Sequence, residues 1–565
     1  MKKITLLLAI IYIPFIALAQ ENRLSEIHGD FNLNLQSYQE DLTIGAEAAD
    51  EIILNNAYLN LNYTKGNFSA GIRYESYLNA LMDYDPEFKG NGIPYRYATY
   101  SVNNLEITAG NYYEQLGSGL IFRSYEEKGL GIDNAMDGFR LKYNPYQGFY
   151  LKAFIGKSRT HFTYADGIFR GTDAEINLNE ILNSNFKTKL IIGGSLVSRY
   201  QKRNNLVFKI PQNVSAYAGR ISVNHGKWNY YGEYAYKIND PANVLTASKM
   251  NYASGNAFTQ NITFSKKGFG IVAEIHRTDN MTFKSDRDRD GKAYLINFIP
   301  TLSKPHTYSL LALYPCATQA DGEFGMQLDV FYKFRKGTAF GGKYGTKIAL
   351  NYSRINGLNG GNSFLNDNNE HTPILISIKN EELYFEDINL EVNKKITKKL
   401  KSNLVIANQT YNRDFLEGHV PGDYGVLNST IIVGDISYKI KTGHTLRIEL
   451  QTLTSKQLEN YTDSDHGGAY ENGLEEPAEG NWTMGLIEYT ISPNWFFTIQ
   501  DMYNYGNEIS EKQLHYLNLT AGFVKGSNRF EIGYGKKREG IFCVGGVCKL
   551  VPSSNGFSVN ISSSF

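Results

Sequence analysis

From Phe31 to the terminal Phe565 the sequence returns again and again to one pattern, apolar side chains at every second position. In Phe324 to Phe334 one face carries Phe324, Met326, Leu328, Val330, Tyr332 and Phe334, and the other carries Gln327, Asp329 and Lys333. Trp228, Tyr230, Tyr234 and Tyr236 oppose Asn229, Glu233 and Lys237, while Leu446, Ile448 and Leu450 oppose Arg447, Glu449 and Gln451. Ile388, Leu390 and Val392 alternate with Asn389, Glu391 and Asn393, and the pattern recurs at 57–63 and 517–523. Period two is the signature of a strand with two unlike faces, because successive side chains of an extended chain point to opposite sides. A half-buried sheet in a soluble sandwich would alternate in the same way.

Four further features separate the two cases. The alternating segments recur about every 20 to 25 residues along the whole chain, with no amphipathic helix and no Pro- or Ser-rich linker between them. Short turns such as Lys65-Gly66-Asn67 and Asn103-Asn104 alternate with longer polar connections, as in a barrel with tight turns at one rim and long loops at the other. Aromatic usage is skewed, with Tyr 41 and Phe 31 against Trp 3, which suits a surface where rings are apolar at one end and wet at the other. The last strand places Phe557, Val559, Ile561 and Phe565 on one face against Ser558, Asn560, Ser562 and Ser564. A terminal phenylalanine after an alternating strand is the expected insertion signal for a barrel assembly machinery.

Residues 1–19 read as a secretory signal peptide: Lys2 and Lys3, an apolar run from Ile4 to Ile16, and Ala17-Leu18-Ala19 before Gln20. No later stretch is long and apolar enough to be a membrane helix. The 57 basic and 57 acidic residues balance, and without a Lys/Arg stripe in any one segment a nucleic-acid partner is not expected. The expected fold is therefore all-β, a single transmembrane antiparallel β-barrel over residues 20–565 in the outer membrane of a Gram-negative cell, in contact with its lipid. The segments count to about 24 strands, range 22 to 26, with an even number putting both termini on the periplasmic side. Long extracellular loops are expected at 82–93, 239–256, 280–292, 355–381, 412–428 and 456–480.

A barrel this wide leaves a hole unless something fills it. Alternation begins too early, at Phe31, Leu33 and Leu35, for a separate N-terminal plug domain. The pattern fails instead between Gly110 and Asp137, where glycines and charges accumulate. Irregular backbone at membrane depth is tolerated only where it lines a cavity or is buried in protein. Glu114, Arg123, Glu126, Glu127, Asp133 and Asp137, with Arg140 just beyond, are read as a lumen constriction in which opposed charges set a transverse field. A bulged strand pair with a polar lumenal face is the ordinary alternative.

Few residues point to chemistry. Cys543 and Cys548 flank Val-Gly-Gly-Val, where the glycines can take the positive φ of a two-residue hairpin turn and set the cysteines opposite each other; in an exported chain they are expected to be a disulfide. Cys316 is left over, and a buried free thiol is its default. Asp286, Asp288 and Asp290 before Gly291 copy the first half of a calcium loop, but the twelfth position is Asn297 and Arg287 and Arg289 can neutralise the same carboxylates. A self-paired loop is the stronger reading of that segment, and no cofactor is otherwise indicated. The ten histidines are scattered, and neither a metal-ligand pair nor a nucleophile elbow is present. An enzyme is not expected.

Four stretches, NLNYTKGNFSAGIRYESYLNAL (60–81), GNYYEQLGSGLIFRSYEEKGLGIDNAMDG (110–138), GTAFGGKYGTKIALNYS (337–353) and REGIFCVGGVCKLVP (538–552), resemble an uncharacterised family of large outer-membrane β-barrel proteins of Bacteroidota. The resemblance implies location and fold and transfers no activity. Within it, 110–138 and the Cys543/Cys548 hairpin stand out as candidate working parts. The expected function is a passive channel or transport pore whose solute path is set by the 110–137 segment and by inward charges such as Arg447 and Glu449. The alternative is a structural barrel that docks envelope proteins for secretion or surface assembly.

Overall fold

A computed structural model describes residues 26–182, 186–203, 210–240, 254–289, 291–358, 382–419, 424–458, 480–507 and 509–565. The signal-peptide reading of residues 1–19 lies outside them, as does Asp290. Twenty-four strands, from Glu26–Gln36 to Ser554–Ser564, form one antiparallel sheet in which each strand pairs with its neighbours along the chain. The first strand pairs with both the second and the last, Leu33 lying opposite Ile561, so the sheet closes and no edge is left unpaired. Among the described residues no helix is long and apolar enough to cross a membrane.

The alternation translates directly into two faces. Ile388 and Leu390 are exposed on the outside while Asp387 and Asn389 are buried on the inside. Ile448 and Leu450 likewise face out, and Glu449 and Gln451 face in. Repeated around the barrel, this leaves a band of exposed Ile, Leu, Phe and Tyr on the outer wall, including Tyr234, Tyr236 and Tyr332. A closed barrel with an apolar exterior and a polar interior satisfies every backbone group internally and is the form in which strands cross a bilayer. The protein is therefore an outer-membrane barrel.

The first strand begins and the last strand ends at one rim, where Gly29 and Phe565 exchange backbone hydrogen bonds of 2.9 and 3.0 Å. Most connections at that rim are tight, as at Gly66, Gly226 and Gly526, each with φ between +55° and +60°. Most connections at the opposite rim are longer, Thr160 to Thr163 being a tight exception, and among the described residues three of them do not stay outside. Residues 113–135, 280–289 with 291–321, and 538–553 turn back into the barrel and pack against its inner wall. The sequence reading of 110–137 is thus narrowed: strands Leu105–Tyr112 and Met136–Tyr146 claim its two ends. The loop expected at 280–292 is instead a lumenal segment reaching to Asp321.

Candidate functional site

The inward segments form a plug with two apolar centres. In the first, Leu116, Leu120, Ile121 and Phe122 meet Met281, Phe283, Ile296 and Ile299, and both groups rest on Phe154, Phe169, Val197, Val214, Ala216, Ala235 and Ala257 of the wall. In the second, Leu310, Leu311, Leu313 and Tyr314 pack on Val405, Ala407, Ile431, Val433, Leu453, Trp482 and Met484, with Cys548 beside them. Several of these wall positions are Ala or Val, which leaves room for the plug. Inside the lumen the alternative to such packing is water, so each large apolar side chain buried there contributes about 1.5 to 3 kcal/mol.

Polar anchors tie the plug to the wall. Arg73 of strand Phe68–Tyr77 binds Glu75 (2.6 Å), Glu126 (2.9 Å) and Asp133, and Arg159 of strand Phe149–Thr160 binds the same Glu75 and Asp133. The hydroxyl of Tyr113 donates to Asp133 at 3.0 Å. A register shift between Arg73 and Glu75 marks a bulge in the wall at this cluster. Burial pushes the Glu126 carboxyl above its usual range, against the pull of Arg73. Farther round, the Ser118 amide donates to Glu233 (2.8 Å), and Glu114 receives Lys152 (2.9 Å) with Arg140 at 3.6 Å. Lys304 and His306 project to Glu391 (3.3 Å) and Asp387 (2.6 Å) of strand Leu383–Lys395, and Tyr308 to Asp435 (3.2 Å) of strand Val426–Lys441.

The structure places the constriction residues unevenly. Glu114, Glu126 and Asp133 are brought together with basic partners inside the lumen, and Arg140 lies on the inner wall bound to Glu106 at 2.9 Å. Arg123 lies over the rings of Tyr125 and Phe298, 4.4 and 4.0 Å from their centroids, where burial lowers its pKa and raises that of the Tyr125 phenol to about 12. Glu127 accepts from the Gly129 amide at 3.1 Å and so caps a short turn. Asp137 departs from the expectation. It shares the outward parity of exposed Phe139 and pairs with Arg96 at 3.1 Å beside Tyr164. Once strand geometry begins at Met136, Asp137 and Arg140, three residues apart, must point to opposite faces.

Cys543 and Cys548 are opposed in the hairpin and joined as a disulfide, with Gly545 and Gly546 at φ +59° and +86°. The hairpin is folded into the plug: the Thr318 amide donates to the Gly546 carbonyl at 3.0 Å, and Lys549 meets Asp83 at 2.8 Å. Cys316 is buried in the second apolar centre, which pushes its thiol pKa well up. Asp286 accepts from Gln201 at 2.7 Å and from the Asp288 amide at 3.0 Å, and Asp290, the third carboxylate of the calcium-loop pattern, lies outside the described residues. The insertion-signal residues Phe557, Val559, Ile561 and Phe565 lie on the last strand and at its end, with Phe557 and Phe565 exposed.

Between the plug and the short-turn rim the inner wall is polar, and many of its groups pair along the wall itself. Asn60 and Asn32 donate to Asp30 (both 2.9 Å), Asn351 to Asp329 (2.7 Å), Asn389 to Asn351 (3.2 Å) and Asn403 to Glu391 (3.1 Å). Arg220 bridges Asp173 (2.7 Å) and Glu175 (3.0 Å), and Arg447 bridges Asp435 (3.0 Å) and Glu449. Sequence parity found Arg447 and Glu449. It did not single out Arg73, Glu75 or Arg159, which look like ordinary lumenal positions.

These features define a large outer-membrane β-barrel whose lumen is occupied at one end by its own connections and lined by polar groups at the other. The chain belongs to the family of unknown function DUF6029, which it matches over residues 1–565. Comparison with curated proteins gives no match. Among solved structures the chain is similar to the translocation pore of the P pilus usher PapC, at 9% identity and TM-score 0.42, covering 96% of this chain and 99% of that one. It is also similar to the siderophore receptor PirA from Pseudomonas aeruginosa, at 8% identity and TM-score 0.41, with coverage of 97% and 81%. OpdK from the same organism, solved with vanillate, gives 11% identity, TM-score 0.34 and coverage of 76% and 99%.

Proposed function

We propose that this protein is an outer-membrane transport barrel whose solute path is closed at one end by a displaceable plug. The observation that carries the reading is the division of the lumen. One end is packed with apolar side chains against small wall residues, and the other is a polar band whose groups pair along the wall, with Lys304, His306 and Tyr308 of the plug reaching its near edge. Such a wall suits a water-filled vestibule, because polar groups facing water cost nothing to expose, whereas a barrel built solely as a scaffold gains nothing from a hydrated interior. The plug is attached by separate ion pairs and hydrogen bonds from several segments, so it can loosen without opening the barrel's own ladder. In this reading the charges of 113–135 act as fastenings of the plug.

Conductance across a planar bilayer tests it. The native protein should show rare or small openings, and a variant in which 113–135 is replaced by a two-residue Asn-Gly turn should conduct steadily. That replacement is geometrically allowed because Tyr112 and Met136 lie opposite each other in adjacent strands. Silence from both proteins, each shown to be folded by its altered migration on a gel before boiling, would reject the reading.

A further inference from the structure

The short-turn rim carries a charge asymmetry that the overall balance conceals. Four successive connections at that rim, within 265–269, 333–347, 394–401 and 439–444, contain fourteen of the chain's 57 Lys and Arg residues and no Asp or Glu. All fourteen are exposed, and among the described residues none has an ion pair to a carboxylate. The other connections at this rim, within 64–68, 102–106, 145–149, 177–188, 225–228, 490–495 and 525–529, hold Lys65, Lys187, Lys227, Lys525 and Arg529 with Glu106 and Glu180. The positive charge is thus concentrated in one arc, spanned by eight consecutive strands of the twenty-four, with fourteen basic residues in four connections against five in the other seven.

Within the arc, parity turns five lysines toward the lumen. Lys333 follows Asp329 and Phe331 on the inner face, and Lys347 reaches back over the Phe331 ring, 5.7 Å from its centroid. Lys401 continues the inward series of Val405 and Asn403, and Lys439 that of Asp435 and Ser437. Lys333 lies directly opposite Lys347, and Lys395 directly opposite Lys401. Like charges in direct cross-strand register are destabilising. Two such pairs side by side, at the mouth of the polar vestibule, are a standing cost that a bound anion would remove. The nearest inward carboxylates are already engaged: Glu391 with Lys304 and Asn403, Asp329 with Asn351, and Asp435 with Arg447.

We propose that Lys333, Lys347, Lys395, Lys401 and Lys439 form an anion-binding mouth that gathers multivalent phosphate- or carboxylate-bearing solutes at the vestibule. This deepens the transport reading by naming a solute class, and only the passage of the anion, not its binding, rests on that reading. Each cation close to an anionic group favours association by about fivefold, so a trivalent or higher anion spanning several of the five is held far more firmly than chloride. Salt should weaken the binding steeply, because the charges are exposed and screened.

The test is a lysine-acylation footprint of the intact barrel in nanodiscs, read by mass spectrometry with and without tripolyphosphate. Nanodiscs of neutral lipid and nanodiscs containing an anionic phosphatidylglycerol fraction separate a soluble anion from a lipid headgroup carrying the same chemistry. Tripolyphosphate should lower the reactivity of the five lysines several-fold in both lipids, with Lys65 and Lys525 unchanged and the protection lost at high salt. No protection overturns the proposal, as does protection that follows phosphatidylglycerol content alone, which assigns the arc to the membrane surface. A variant with all five changed to Gln should fold at least as well, since it removes both like-charge pairs, and should lose the protection. In the bilayer that variant should lose the native barrel's preference for anions over cations. If neither protein conducts while the footprint holds, the transport reading fails and the anion site stands.

Discussion

Arg159 and Glu75 meet across a chord of the barrel, Nη1 to Oε1 at 2.9 Å, although their strands are separated by three others in the sheet. Both side chains are 1% exposed, and Asp133 of the plug is held where Arg159 and Arg73 converge. Removing one partner of a buried pair strands the others without compensation, at about 3 to 5 kcal/mol. Arg159→Met should therefore free the 113–135 segment, seen as faster amide exchange there, while the barrel ladder stays protected. Unchanged exchange in 113–135 would show that the apolar packing holds the plug without this cluster.

The barrel was readable because every strand must divide lipid from lumen, so Ile388, Asp387 and their equivalents repeat a single physical demand. The plug was half readable. Loss of alternation exposed 110–137, and the glycines of 545 and 546 exposed the hairpin. The stretch from Leu295 to Asp321 is not legible as a lumenal segment, because its apolar side chains pack in several directions inside the lumen and leave no period to detect. Its one sequence signal is the density of proline at 300, 305 and 315, which excludes a central strand. The anchors Arg73 and Arg159 could not be inferred, since their acidic partner Asp133 is 60 and 26 residues away in sequence.

Reduction of Cys543–Cys548 should loosen the inward hairpin without opening the barrel. Closing so short a loop constrains the unfolded chain by about 2 kcal/mol, and the hairpin's other ties are few: Thr318 to Gly546 and Lys549 to Asp83. A Cys543→Ser/Cys548→Ser variant should show faster exchange within 540–551 and an unaltered shift in gel migration on boiling. Loss of that shift would mean that the disulfide supports the barrel itself.

Cys316 should be inert while the protein is folded. The thiolate is the reactive form, and burial raises the pKa of this thiol well above its usual value. Iodoacetamide at pH 8 should leave Cys316 unmodified in the native barrel and label it after denaturation. Labelling without denaturation would indicate that the second apolar centre opens readily.

Acid should release a second fastening at a defined point. Burial raises the pKa of the Asp240 carboxyl, but Arg199, Lys237 and Arg287 outweigh it and hold the group below the usual 3.8. Arg199 contacts Asp240 at 2.5 Å and donates to the Lys284 carbonyl at 2.7 Å, so this cluster grips the 280–289 segment. A lowered carboxyl pKa contributes stability that is present above the unfolded value and lost as pH falls through the folded one. Exchange in 280–289 should stay slow down to about pH 4 and accelerate below it, whereas Asp240→Asn should be fast at neutral pH. Equal rates in the two proteins at pH 7 would remove Asp240 from the account.

The three tryptophans offer a direct reading of which surfaces meet lipid. Trp228 and Trp495 are exposed on the outside beside the short turns, where Trp228 contacts Phe264 and Trp495 contacts Phe497 and Phe523. Trp482 is 1% exposed in the second apolar centre. Rings of this kind settle at the headgroup level, with the apolar body toward the chains and the indole N–H toward water. Single-tryptophan variants, the other two changed to Phe, can be reconstituted with lipids brominated at different depths. The Trp228 and Trp495 proteins should be quenched most by bromine near the headgroups, less by bromine at the chain ends, and the Trp482 protein by neither. Quenching of Trp482 as strong as that of Trp228 would place lipid against the face assigned here to the lumen and would overturn the orientation of the whole wall, because period two leaves no way to turn one residue outward without turning its strand.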